Sequence, residues 1–187
     1  TGSPVYNWTN TNPAIGLPAN GNGDINFTAA NVASTTTGTI TVTPVEGICT
    51  GPAQTFTITV NPLPTVNQPN NVAVCAGLPV NVAFSGTAGS TFPWTNDNPA
   101  IGLGASGTGN INFNSALVAS IQTATITITP TKNGCPGIPV TFTITVTPSP
   151  TVQDPPNESV CSGDMVQVPF MGTGRPTYTW TNSNPAI

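Results

Sequence analysis

Threonine alternates with large apolar residues along much of this chain. Thr55-Phe-Thr-Ile-Thr-Val60 places Phe56, Ile58 and Val60 on one side and threonines on the other. Thr39-Ile-Thr-Val-Thr43 and Thr125-Ile-Thr-Ile-Thr129 do the same with Ile40/Val42 and Ile126/Ile128. Val80, Val82 and Phe84 alternate, as do Phe92 with Trp94 and Ile111 with Phe113. A period of two built from β-branched residues marks a half-buried strand with one inward and one outward face. Gly and Pro clusters separate these runs at short intervals, which suits two packed antiparallel sheets. No segment carries a helical stripe, and Ser115-Ala-Leu-Val-Ala-Ser120 allows one turn at most. The pattern predicts an all-β chain with Trp94 on a central strand, facing the opposite sheet.

The pattern is also copied. Trp-Thr-Asn occurs at Trp8, Trp94 and Trp180, in steps of 86 residues. Asn12-Pro-Ala-Ile-Gly-Leu17 returns as Asn98-Pro-Ala-Ile-Gly-Leu103 and begins again at Asn184. Gly21-Asn-Gly-Asp-Ile-Asn-Phe27 returns as Gly107-Thr-Gly-Asn-Ile-Asn-Phe113, and these two motifs supply turns between strands. The cysteines keep the step too, from Cys49 to Cys135 and from Cys75 to Cys161. A fixed period of this size means an array of small domains. About seven short strands per period give a tandem immunoglobulin-like β-sandwich.

Two periods and fifteen further residues fill the chain, so it reads as an excerpt of a longer polymer. The boundary signal is Asn61-Pro-Leu-Pro64, repeated as Thr147-Pro-Ser-Pro150. Alternating prolines lack ladder donors and favour polyproline II, so Pro62, Pro64, Pro148 and Pro150 suit a short stiff linker. On this frame residues 1–64 are an N-terminally incomplete repeat, 65–150 a complete one and 151–187 the start of the next. A rival frame starts a unit at Thr1, with strands donated between neighbours.

Composition narrows the function. Only 4% of residues are charged and the net charge is −4, with Lys132 and Arg175 as the two basic residues. Nucleic acid is excluded, because phosphate neutralisation needs clustered Lys and Arg. An anionic membrane surface fails for the same reason, and no apolar run is long enough to insert in a bilayer as a helix. Disorder is excluded by the 37% apolar content and its strand period.

Each period holds two cysteines, and the chain has no histidine, so a zinc site has no support. One pair per module in a chain of exported character suggests a disulfide, Cys75 with Cys135. Closing a loop of that length is worth roughly 4 kcal/mol in the chain-entropy model. Two other arrangements stay open: Cys49–Cys75 stapling adjacent domains, and free thiols linking neighbouring filaments. The intradomain pair also has a geometric obstacle, since the first and last hairpins of a simple immunoglobulin strand order lie at opposite ends of the sandwich.

Catalytic chemistry finds no foothold. No His is present, Lys132 aligns with Glu46, and Arg175 aligns with Gly89, so neither base belongs to the repeated design. The acids are equally aperiodic: Asp97 aligns with Thr11 and Ser183, Asp24 with Asn110, and Asp164 with Leu78. That removes a recurring carboxylate pair for glycoside hydrolysis, and leaves calcium with too few acidic ligands. A Lys–Asn crosslink would need a lysine in every copy. The expectation is no catalytic residue, no cofactor and no metal. Threonine rows read as solvent faces, and Trp8, Trp94 and Trp180 as core residues rather than sugar-stacking platforms. Asn7, Asn26 and Asn157 head glycosylation-type triplets that their aligned positions lack.

Val74-Cys-Ala-Gly-Leu-Pro-Val80, Trp94-Thr-Asn-Asp-Asn-Pro-Ala-Ile-Gly-Leu103, Gly107-Thr-Gly-Asn-Ile-Asn-Phe113 and Thr141-Phe-Thr-Ile-Thr-Val146, in that order, carry a resemblance. Together they resemble the PKD-like, immunoglobulin-like repeats of giant Bacteroidota cell-surface proteins, including gliding-motility adhesins of the type IX secretion pathway. The resemblance implies export, an extracellular or bacterial cell-surface place, and tandem assembly. The expected function is a structural or adhesive segment of a stalk or filament. Its partners would be neighbouring repeats, identical chains in a fibre, surface glycans or other cell-surface proteins. The alternative is a carbohydrate-binding or spacer module of a secreted multidomain glycan-degrading enzyme.

Overall fold

The structure is a computed structural model, which describes residues 3–174 and 177–184. Arg175 and the end of the third Asn-Pro-Ala-Ile motif lie outside the described residues. The chain divides into two compact units. One holds residues 1–67, 85–93 and 129–140, and the other 68–84, 94–128 and 141–187.

In the first unit, β1 (Val5–Asn10), β2 (Asn20–Asn22), β3 (Thr36–Glu46), β4 (Cys49–Thr50) and β5 (Gln54–Val60) form one antiparallel sheet. Its path runs β2-β1-β3-β4, and β5 also pairs with β3. Thr–apolar alternation sets the register, with Ile40 opposite Phe56 and Val42 opposite Trp8 on β1. Trp8, Ile15, Leu17 and Ile40 make the buried core, with Ile25, Phe27, Val42, Ile58 and Val60 half-buried against it.

The second unit carries β6 (Val72–Cys75), β7 (Pro79–Val82), β8 (mainly, Pro93–Asn96), β9 (Ser106–Thr108), β10 (Ile111–Asn114) and β11 (Gln122–Ile128). The β12 (Thr131–Lys132) and β13 (Cys135–Pro136) hairpin belongs to the first unit. β14 (Val140–Thr147) returns to complete a sheet of order β6-β14-β11-β8-β9, and β7 pairs with β10 as the facing sheet. The result is an immunoglobulin-like β-sandwich. One pairing departs from the antiparallel expectation: β6 runs parallel to β14, with Val72 opposite Ile144 and Val74 opposite Val146.

The core of this sandwich is more deeply buried than that of the first unit's sheet. Ile101, Ile126, Ile128, Ile144 and Val146 are all fully buried. Beyond it, β15 (Thr151–Val152) and β16 (Gly172–Thr173) form a short antiparallel pair. No helix of the described residues is long and apolar enough to cross a membrane.

Asn-Pro-Ala-Ile-Gly-Leu forms more than a turn. Pro13–Ile15 and Pro99–Ile101 are single 3₁₀ turns, each capped by an Asn whose side chain accepts from the Ala N–H. Each ends on a left-handed glycine, Gly16 at φ 101° and Gly102 at φ 98°. Proline pre-sets the first φ, and a side chain at the glycine would be strained and would strike backbone. The one turn that Ser115–Ser120 allowed does not form. Ser115 is buried instead, its Oγ 3.0 Å from both the Cys75 and Leu78 carbonyls.

Candidate interaction surfaces

The two buried tryptophans pack directly against glycine. A Cβ on Gly21 would collide with the Trp8 ring, and one on Gly107 with the Trp94 ring. Trp94 also donates its indole N–H to the Gly109 carbonyl at 3.1 Å. Both rings are 8% exposed, so neither offers a face to a sugar. Trp180 departs from the core expectation, being 73% exposed. Among the described residues no strand surrounds it as β9 and β11 flank Trp94, which explains the difference.

The third residue of Trp-Thr-Asn is a staple that side-chain chemistry alone did not single out. Asn96 is buried, donates through Nδ2 to the carbonyls of Leu103 (2.9 Å) and Gly104 (3.2 Å), and accepts the Asn98 N–H at 3.0 Å. Asn10 repeats this with Leu17 (2.8 Å) and Pro18 (3.3 Å), and accepts from Asn12. Asn182 already accepts from Asn184 at 2.9 Å in the third copy. The 86-residue step was the available signal, since these asparagines keep it as strictly as the tryptophans.

Outward threonines bind one another. Thr37 meets Thr59 at 3.0 Å, Thr123 meets Thr145 at 3.1 Å, Thr65 meets Thr87 at 3.1 Å and Thr151 meets Thr173 at 2.8 Å, hydroxyl to hydroxyl. Some of the aperiodic charges serve the backbone. Asp97 accepts the Thr125 N–H at 2.6 Å, as Thr11 accepts that of Thr39 at 3.0 Å. Lys132 donates to the Ala88 carbonyl at 2.6 Å. Among the described residues no three His, Cys, Asp or Glu side chains gather to hold a metal.

All four cysteines are free thiols, so the Cys75–Cys135 bond is absent. The residue opposite Cys75 is Thr147, that opposite Cys135 is Lys132, and that opposite Cys49 is Glu46. The proline linkers divide. Pro64 is fully buried, packed where a Cβ on Gly137 would strike its carbonyl, so it is part of the fold. Pro62 and Pro148 are half-buried, and Pro150 is exposed.

Two apolar areas stay open. Phe56 on β5 is 46% exposed, although Phe142, one period on, is 3% exposed. A cleft of about 440 Å³ is lined by Phe170, Tyr178 and Trp180 among others, with the Phe170 and Tyr178 rings 5.6 Å apart.

Residues 72–150 match the PKD-like domain family. No curated protein matches the chain. Among solved structures it is similar to a chimeric titin Z1Z2–Z1Z2 tandem functionalised with a GRGDS exogenous peptide from fibronectin. The identity is 16% and the TM-score 0.29, over 80% of this chain and 87% of that one. The strand order is immunoglobulin-like, and residues 72–150 are similar to PKD-like domains.

Proposed function

We propose that this chain is a structural or adhesive segment of a stalk or filament outside the cell, without catalysis, whose unit is the 86-residue repeat framed at 65–150. One observation carries the reading: what the repeat copies is consumed inside the fold. Trp8 and Trp94 lie on glycines, Asn10 and Asn96 staple the next loop, and threonines pair across strands. The copied cysteines are the exception, free and largely exposed, and among the described residues no cluster of His, Cys, Asp or Glu forms around them. Such modules add reach one at a time, each depending mainly on its neighbours rather than on one large core. Export and a cell-surface place follow from the kind of module and its near-absence of charge. Its partners are adjoining repeats, further copies of the chain, and surface glycans or proteins at a tip.

The cleft at Phe170, Tyr178 and Trp180 is the one feature that favours a carbohydrate-binding module. Phe170 and Trp180 align with Phe84 and Trp94, half-buried and buried in the middle repeat, so the cleft reads as unassembled core. Glycan-array screening of the 187-residue chain tests this. The stalk reading expects no specific ligand; a reproducible sugar hit lost on Trp180→Ala would establish the carbohydrate-binding alternative.

A further inference from the structure

Three Asn-Gly steps occur in the chain: Asn20-Gly21, Asn22-Gly23 and Asn133-Gly134. An asparagine before glycine is prone to lose its side-chain amide, because glycine puts no side chain in the way of its own backbone nitrogen. In a folded chain the outcome depends on whether that nitrogen is free to reach the asparagine Cγ.

Two of the steps are held. Gly21 lies within β2 opposite Trp8, where even a Cβ would strike the indole ring. Gly23 donates its N–H to the Tyr6 carbonyl at 2.8 Å. Reaction at either would pull a strand pairing apart beside a core tryptophan. Asn133-Gly134 is different, being the two-residue loop of the β12–β13 hairpin, closed by Lys132 opposite Cys135. Both loop residues are left-handed, Asn133 at φ 50° and Gly134 at φ 76°, the geometry such a loop imposes. Both are exposed, and no hydrogen bond holds the Gly134 N–H or the Asn133 side-chain amide. Nor does the turn require this asparagine. The aligned loop in the first repeat is Gly47-Ile48, and its hairpin of β3 and β4 forms all the same.

We propose that Asn133 is a site of spontaneous covalent modification, where the chain acquires aspartate and isoaspartate with age. The Gly134 backbone nitrogen gives its proton to solvent base and attacks Asn133 Cγ. The new C–N bond closes a succinimide ring, the Cγ–Nδ2 bond breaks, and ammonia leaves with a proton. Water then opens the ring. Cleavage between the ring nitrogen and Cγ leaves aspartate; cleavage at the Asn133 main-chain carbon leaves isoaspartate, whose backbone runs on through the side chain. The net exchange is a water taken up and an ammonia released, with no oxidant or reductant. Either product sets a carboxylate beside Lys132, in a chain where only 4% of residues are charged. Isoaspartate also lengthens the loop's backbone, so the Lys132–Cys135 and Thr131–Pro136 pairings open. The loss stays local, because the buried Ile126, Ile128 and Ile144 lie on other strands. The site stands whether or not the stalk reading holds.

Ageing the full-length chain at mildly alkaline pH tests the proposal, with peptide mapping by mass spectrometry and labelling by an isoaspartyl methyltransferase as readouts. In the folded chain Asn133 is expected to convert at least about tenfold faster than Asn20 or Asn22, since those react only from a locally opened state. In concentrated urea the three steps are expected to react at similar rates, because the fold no longer distinguishes them. Asn133→Gly copies the first repeat's loop at that position and is expected to remove most of the methyl label without changing the melting temperature. Hydrogen exchange over residues 131–136 is expected to quicken in the aged chain, with tryptophan fluorescence unchanged. An unmodified Asn133 in the folded chain, conversion of Asn20 or Asn22 at an equal or greater rate, or a label that persists in the Asn133→Gly variant overturns the proposal.

Discussion

Phe84 meets Phe142 edge to face, with ring centroids 6.2 Å apart and planes at 74°. One period earlier the same phenylalanine, Phe56, has no such partner and is 46% exposed. Edge-to-face pairs contribute about 0.5–1.5 kcal/mol beyond area burial, and truncating a core Phe to Ala costs about 3–5 kcal/mol. Phe142→Ala should therefore destabilise the chain by several kcal/mol, and Phe56→Ala by less than about 1.5 kcal/mol. Urea denaturation followed by tryptophan fluorescence measures both. Equal losses would mean that the two positions are packed alike.

Asn96 holds the loop that follows its strand. Asn96→Ala leaves the Leu103 carbonyl and Asn98 N–H without their partner, and should cost about 1–3 kcal/mol. Asn98→Ala removes a half-buried cap and should cost about 1 kcal/mol. Thermal unfolding of the two variants ranks them, and the reverse order would contradict the staple role.

Glycine under tryptophan is a packing requirement. Gly107→Ala drives a methyl group into the Trp94 ring and should cost at least about 1–3 kcal/mol. Gly104 has only the Ser106 carbonyl near its missing Cβ, at 3.8 Å, and its φ is not left-handed. Gly104→Ala should be neutral or stabilising by up to about 1 kcal/mol. The two urea midpoints should move in opposite directions or differ widely.

Threonine rows contribute through pairs. A double-mutant cycle on Thr123 and Thr145 should give a coupling of about 0.2–1 kcal/mol. Zero coupling would return these hydroxyls to the solvent.

The thiols are expected to behave as free. Intact-mass measurement without reductant should show four alkylatable cysteines, and reductant should leave the melting temperature unchanged. A mass two hydrogens lighter, with a melting temperature that falls on reduction, would restore a bridge.

Periodicity made much of this fold legible. Alternating Thr and Ile marked β3, β5, β11 and β14 because an inward face and an outward face impose a period of two on any half-buried strand. It also placed Trp8 and Trp94 in the core. What it left hidden depends on partners distant in sequence. Ile25-Asn-Phe27 has the strand pattern but no strand, because a ladder needs a second segment. Trp180 carries the core motif without the strands that bury Trp94. The parallel pairing of β6 and the burial of Pro64 arise from tertiary contacts that local composition does not encode. Asn96 was hidden for another reason: an asparagine in an Asn-rich chain looks like surface until its bonds are traced.

The central claim is that the repeated residues build scaffold, and that scaffold gains length by addition. Small-angle scattering of chains carrying two, four and six periods tests it. The account predicts a maximum dimension rising in proportion to the number of periods. Growth of the radius of gyration with only about the 0.38 power of chain length, as for one compact body, would contradict it.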